Sequence, residues 1–252
     1  MVLAFLSHSG FRPKRLYLPG LGHIHDPREV SSTFNEIFVD KVYQPIKPLP
    51  PNCLIVDIGS HYGLFAIYAM LRLNVAEIRC FEPNPFSFKI LSANIAATNN
   101  PGTKVNLYPH AVAETNGFVQ MLLPENNLTS IGSAIIPDGV TAIDRRICRV
   151  IRVPAISIAE AIRNECDLLK LDAEGIEYDV LRNSVITPAR VREVAVEVHE
   201  VNRQPQRFRE LIQSLIERGY SVFGSNRKAL SMKDTQDMLQ CDKINNTVLH
   251  FA

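Results

Sequence analysis

The sequence predicts an α/β protein built on a mostly parallel sheet flanked by helices. Three observations carry that expectation. From about residue 52 onward, strand-like and helix-like segments alternate. Short apolar runs such as Cys53-Leu-Ile-Val-Asp57 are continuous rather than alternating, as in strands covered on both faces. The stretch 208–218 places apolar residues at 208, 211, 212, 215 and 216, the spacing of an amphipathic helix, and Gly219 ends it.

Taken in order, residues 53–57 are the first core strand, and 64–73, apolar almost all round, a buried helix. Residues 77–82 are the second strand. Pro85 suits the first turn of a helix running to about residue 97, where Asn99-Asn-Pro-Gly102 stops it. Residues 104–108 are the third strand, and 118–123 and 147–153 are added strands around a polar loop, 124–146. Ser157 and Glu160 fit a capping box that opens a helix to about residue 164. The fourth strand is 168–172, followed by a helix over 175–182, and the fifth is 193–199. Two closing strands, 220–223 and 247–251, follow the 208–218 helix. Pro45, Pro48, Pro50 and Pro51 mark a stiff linker, so residues 1–50 are expected as an appendage and 51–252 as one domain.

The chain has 252 residues, a formal net charge of +1 and 46% hydrophobic residues, enough for one sizeable core. Near-neutral charge argues against a nucleic-acid partner, whose phosphates call for a basic surface. No apolar run is long enough to span a bilayer, so no membrane role is expected. The start, Met1 to Leu6, is apolar without a basic segment ahead of it and reads poorly as a signal peptide. The five cysteines are scattered without a Cys-x-x-Cys pair, which predicts reduced, half-buried thiols and a cytoplasmic protein.

The chemistry begins at the turn after the first strand, Asp57-Ile-Gly59-Ser-His-Tyr-Gly63. Gly59 allows a tight turn and Gly63 a close approach, so the amides of the following helix can face a nucleoside. Glu82, 25 residues after Asp57, ends the neighbouring strand, where a carboxylate can accept hydrogen bonds from ribose hydroxyls. Its structural alternative is to cap the helix that starts at Pro85. A dinucleotide fold would carry a glycine where His61 stands, to make room for pyrophosphate. S-adenosylmethionine has no pyrophosphate, so the turn fits a methyl donor better.

These residues resemble the FkbM-type family of S-adenosylmethionine-dependent methyltransferases. The likeness runs from about Phe34 to the C-terminus. It takes in Glu36-Ile-Phe-Val39 with Tyr43, Val56 to Gly63, Phe81-Glu-Pro-Asn-Pro85, Leu169-Lys-Leu-Asp-Ala-Glu-Gly-Ile-Glu177 and Val196-Glu-Val-His199. The resemblance implies a class I methyltransferase fold, Rossmann-like, with a seven-stranded mostly parallel sheet and helices on both faces. It implies methyl transfer to a hydroxyl of a small-molecule natural product or sugar. By position, Asp57, Gly59, Ser60 and Gly63 would surround the methionine moiety, with His61 in the same cofactor set. Glu82, Pro83 and Asn84 would lie by the ribose, and His110 and Ala111 would border the adenine. The chain departs from the family at Ser157-Ile-Ala159, where Thr-Leu-Asp is common.

Ligands of open α/β sheets bind beyond the carboxyl ends of the strands. Asp172 ends the fourth strand and Glu174 follows it, while Glu197 and His199 share a face of the fifth. These four are the catalytic candidates, with His199 as the base because an unperturbed imidazole titrates near pH 6.5. No metal is required, but Asp172, Glu197 and His199 could hold a divalent one that lowers the acceptor's pKa. The expected partner is a small-molecule or glycan acceptor. The loop 126–133 is a candidate lid, and residues 1–50, with His8, His23, His25, Phe5, Phe11 and Tyr17, a second lid or a homodimer contact. The alternatives are a non-catalytic S-adenosylmethionine-binding protein, or a methyltransferase acting on nitrogen or on a macromolecule. The last lacks the Asp/Asn-Pro-Pro-Tyr run of amino-methylating DNA enzymes. A nicotinamide dehydrogenase is a more distant reading, since its glycine pattern is missing.

Overall fold

The structure is a computed structural model, and it describes residues 15–18, 22–25, 31–98, 100–129, 133–136, 147–239 and 246–252. Strands β1 (Arg15–Leu18) and β2 (Gly22–His25) pair as an antiparallel hairpin. Helix α1 (Ser31–Phe34) runs into a π-helical stretch, Asn35–Asp40. Then come β3 (Leu54–Ile58), α2 (Leu64–Arg72), β4 (Glu77–Phe81), α3 (Pro85–Ala97) and β5 (Lys104–Tyr108). Strands β6 (Ala111–Ala113), β7 (Gly117–Pro124), β8 (Ala134–Ile135) and β9 (Cys148–Ser157) form a separate four-stranded sheet. The remainder is α4 (Ile158–Ile162), β10 (Leu168–Leu171), α5 (Glu177–Arg182), β11 (Val194–Val198), α6 (Pro205–Glu217), β12 (Val222–Gly224), α7 (Met232–Leu239) and β13 (Thr247–Phe251).

The main sheet has seven strands in the order β12-β13-β11-β10-β3-β4-β5. Only β13 runs antiparallel to its neighbours. Each central strand feeds both faces, because successive side chains point to opposite sides. Val56, Ile58, Leu169, Leu171, Val194, Val196 and Val198 enter one apolar cluster with Tyr178 of α5 and Phe208 of α6. Ile55, Leu168 and Ala195 enter the other, with α2. Two covered faces are why these strands read as continuous apolar runs. Asp57 of β3 and Lys170 of β10 interrupt them, and both are buried.

Most segments expected from the sequence stand within a few residues of their observed bounds. The helix expected at 175 starts at Glu177, because Glu174 and Gly175 take positive φ values of 54° and 109°. The helix expected at 208 starts at Pro205, whose missing N–H costs nothing in a first turn. Missing from the sequence reading are the β1–β2 hairpin, α1 with its π-helical continuation, β6, β8 and α7. The described part of the proline-bounded N-terminal segment reaches into the interior: Ile37 and Tyr43 are buried in the α2-side cluster. The thiols are deeper than expected, since Cys53, Cys80 and Cys166 are buried and Cys148 is partly so. Cys241 lies outside the described residues. Among the described residues no helix is long and apolar enough to cross a membrane.

Candidate functional site

At the carboxyl edge of the sheet, β3 passes into α2 through a turn that only glycine can make. Gly59 has φ of +72°, and a Cβ there would stand 1.7 Å from the carbonyl oxygen of Asp172. The turns that follow β3 and β10 are therefore in backbone contact. Beneath them, Lys170 donates through Nζ to the Gly59 carbonyl at 2.7 Å and lies 3.4 Å from Asp57 Oδ1 and 3.5 Å from Asp172 Oδ2. Burial, the largest influence, would lower the Lys170 pKa, but Asp57 and Asp172 hold it above the ordinary value. Gly63 (φ +83°) serves packing, because a Cβ would lie 2.6 Å from Leu91 Cδ1 of α3.

Two clefts open on either side of this contact. The first holds about 630 Å³ of empty space, and its walls include His61, Glu82, Pro83, Asn84, Ser87, His110 and Ala111. Glu82 is buried, and its two oxygens accept from the backbone amides of His61 and Asn84, both at 2.8 Å. Each oxygen retains a lone pair. Burial pushes the Glu82 pKa up to about 7, against the lowering effect of the two amides. The helix cap that could have explained Glu82 falls to Asn84, whose Oδ1 accepts from Phe86 N at 3.0 Å. Asn84 Nδ2 also donates to Leu128 O at 2.8 Å, and His61 Nε2 lies 2.9 Å from Thr129 O. Two buried polar atoms in this wall, Ser87 Oγ and His110 Nδ1, have no hydrogen-bond partner among the described residues. Unsatisfied donors and acceptors beside a carboxylate with spare lone pairs fit the adenosine of S-adenosylmethionine.

The second cleft, about 750 Å³, is lined by Glu36, Tyr43, Ser60, Asp172, Glu174, Glu197 and His199 among others. Gly59, His61, Asp172 and Glu174 line both clefts. His199 is 5% exposed. Its Nδ1 lies 3.0 Å from Oε1 of the buried Glu177, which also accepts from the amides of Ala173 and Gly175. Its Nε2 stands 3.6 Å from Glu174 Oε2, 3.8 Å from Glu197 Oε1 and 3.9 Å from Asp172 Oδ1. The Tyr43 hydroxyl lies 3.1 Å from Glu197 Oε2 and 3.3 Å from Asp172 Oδ2, within donating distance of either.

The four catalytic candidates thus come together. Burial alone would lower the His199 pKa, yet Glu177, then Glu174 and Asp172, raise it to about 9. In the protein alone the imidazole keeps its proton at neutral pH, unlike the free base expected from its ordinary pKa. Burial raises Glu174 to about 7, with His199 opposing and the neighbouring carboxylates adding to the rise.

Of the cofactor candidates, Gly59, His61, Glu82, Pro83, Asn84, His110 and Ala111 line the first cleft, and Ser60 lines the second. Asp57 and Gly63 line neither: Asp57 sits behind the turn against Lys170, and Gly63 faces α3. Sequence reasoning gave no role to Glu36, Tyr43, Lys170 or Glu177. All four sit in motifs already noted, but which of their neighbours they touch depends on the fold. Of the candidate lid, residues 130–132 lie outside the described residues, as do His8, Phe5 and Phe11. The side chains of His23, His25 and Tyr17 are likewise outside the description.

The doubly wound sheet, its glycine turn and the two joined clefts define a class I S-adenosylmethionine-dependent methyltransferase. The chain belongs to the FkbM methyltransferase family: the pattern described as "Methyltransferase FkbM domain" matches residues 57–222. It is 28% identical over 221 residues to "Methyltransferase sdnD" of Sordaria araneosa, covering 77% of this chain and 83% of that protein. It is 26% identical over 202 residues to "31-O-demethyl-FK506 methyltransferase FkbM" of Streptomyces tacrolimicus, covering 69% of this chain and 76% of that one. Among solved structures, methyltransferase FkbM from Methylobacillus flagellatus KT superposes with a TM-score of 0.48 and 13% identity. That match covers 90% of this chain and 53% of the other, so the chain spans about half its length.

Proposed function

We propose that this methyltransferase acts on a hydroxyl oxygen of a small-molecule natural product or sugar. The observation that carries the reading is the seam between the clefts, where Asp172 and Glu174 face both the cofactor side and the polar second cleft. When bound, S-adenosylmethionine supplies a sulfonium methyl: the S–CH3 bond breaks with its electron pair left on sulfur, an O–CH3 bond forms to the acceptor, and the acceptor proton passes to the carboxylate–imidazole set. Glu82, Pro83, Asn84, His110 and Ala111 hold the adenosine end, and Gly59, Ser60 and His61 the turn beside the methionine end. Asp172, Glu174, Glu197 and His199 place the acceptor oxygen, and a carboxylate of the set takes its proton, since His199 already carries one at neutral pH. Placement is the larger contribution, roughly 7–11 kcal/mol against about 3–5 kcal/mol for proton transfer. A relative named for methylating an FK506 precursor at oxygen supports the choice of atom.

The same reading takes the protein as cytoplasmic, with residues 1–50 as a lid or homodimer contact over a 51–252 methyltransferase unit. Its support is a net charge of +1 and cysteines without a pairing pattern. Mass spectrometry after incubation with S-adenosylmethionine and a panel of hydroxylated metabolites and sugars tests it, the expected product being an acceptor heavier by one CH2. Calorimetry showing no S-adenosylmethionine binding would overturn the enzyme reading. Binding with no transfer to any acceptor would favour a non-catalytic binding protein.

A further inference from the structure

Nε2 of His199 opens into the second cleft from a ring that is otherwise buried. The residue is 5% exposed and its other ring nitrogen is fixed by Glu177, but Nε2 makes no hydrogen bond among the described residues. It faces carboxylate oxygens of Glu174, Glu197 and Asp172 at 3.6, 3.8 and 3.9 Å, each beyond hydrogen-bonding reach. One ligand atom each from Asp172, Glu197 and His199 lies within 4.8 Å of the others. Atoms bound about 2.0–2.4 Å from a single ion stand about 3 to 4.8 Å apart, so the three atoms surround a point rather than bond to each other.

The surroundings match a cation site as well. An imidazole ligand ordinarily has its far nitrogen held by a carboxylate or carbonyl, which fixes the ring and points the near nitrogen at the metal. Glu177 does this for His199. The Tyr43 hydroxyl touches the outer oxygens of both Asp172 and Glu197, and their other oxygens lie toward Nε2, Glu197 Oε1 also accepting from Asn246 Nδ2 at 3.5 Å. Glu36 and Glu174 line the same cleft, so its carboxylates outnumber Lys170, the lysine that lines it 3.5 Å from Asp172 Oδ2.

We propose that Asp172, Glu197 and His199 bind one divalent cation, of the manganese or magnesium type, in the acceptor cleft, the ion displacing to solvent the Nε2 proton that His199 otherwise carries. The oxygen-rich set with one imidazole favours manganese over softer metals. The remaining positions open into the cleft, where the ion takes the acceptor hydroxyl, lowers its pKa and aims its oxygen at the cofactor side. This rests on the methyltransferase reading above and assigns the acceptor's anchor within that site.

The test is manganese binding to the full chain, followed by electron paramagnetic resonance. The expected result is one Mn2+ per chain, with a nitrogen modulation from a single imidazole in spin-echo spectra. His199→Ala should remove that modulation, and Glu197→Gln, at a less buried position, should weaken binding at least tenfold. Thermal unfolding and S-adenosylmethionine calorimetry on the same samples report whether each variant folds. Absence of saturable Mn2+ binding, or binding that keeps its nitrogen signal and affinity in both variants, overturns the proposal. S-adenosylmethionine binding without Mn2+ binding would remove the cation alone, whereas loss of cofactor binding in the intact protein would remove the methyltransferase reading.

Discussion

Glu82 gives the cofactor cleft a pH dependence whose sign follows from its burial. Its pKa of about 7 means that lowering the pH neutralises the carboxylate proposed to receive the ribose hydroxyls. Binding favours the charged form, so affinity for S-adenosylmethionine should rise roughly tenfold between about pH 6 and pH 8. Calorimetry across that range checks this, and Glu82→Gln should both weaken binding and flatten the curve. Stability moves the opposite way. The folded carboxyl holds a proton between pH 4.5 and about 7 that the unfolded one releases, so the cofactor-free protein loses up to about 3 kcal/mol as pH rises through that window. At the other end of the seam, His199→Ala should cut turnover about 100-fold or more while leaving the cofactor dissociation constant within about twofold. Steady-state kinetics beside calorimetry separates this from a structural role, in which both would fall together. Residue identities were legible in the sequence at both places. The pKa values were not, because each depends on partners such as Glu177 that the fold brings from another element.

Among elements, the β3–α2 turn is the least tolerant. Gly59→Ala would put a methyl group 1.7 Å from the backbone oxygen of Asp172 at a positive φ, and neither strand end can retreat. The expected cost is at least about 3 kcal/mol, read by urea unfolding, together with loss of cofactor binding. The central strands were legible because burial on both faces leaves a continuous apolar run, and α2 because all seven residues from Leu64 to Met70 are buried. Elements that escaped lack such a signal. Strand β6 has three residues and β8 two, too few to show a period. Helix α7 has an exposed first turn, and its sequence, Met-Lys-Asp-Thr-Gln-Asp-Met-Leu, has few apolar positions to mark a face.

For the whole molecule, the described residues between 31 and 50 are tied to the sheet through more than apolar contact. Glu193 is buried, and its carboxylate accepts from the amides of Ile46 at 2.7 Å and Lys47 at 3.4 Å and faces His250 Nδ1 at 3.3 Å. His250 Nε2 in turn lies 2.8 Å from the Val42 carbonyl. A chain beginning at residue 51 would strip those partners from a buried carboxylate and uncover the cavity filled by Ile37 and Tyr43. It should lose at least about 3 kcal/mol, seen as a lower Tm, and expose apolar surface to a hydrophobic dye. The prolines at 45–51 mark where this segment enters the sheet region, but nothing in their spacing discloses the contacts on either side. The sequence identified the cofactor half of the site better than the acceptor half for the same reason. The first uses short-range strand–turn motifs, the second joins residues 154 positions apart, as with Tyr43 and Glu197.

That difference has a practical side. The first cleft is lined wholly by residues between Ile58 and Ile176, whereas the second takes much of its wall from Ser32 to Tyr43 and from Asn246. The 32–43 stretch thus walls the second cleft alone, while Gly59, His61, Asp172 and Glu174 serve both. Grafting the 32–43 stretch of a relative, with Glu36 and Tyr43 kept, is a route to new acceptors that leaves the cofactor's own cradle untouched.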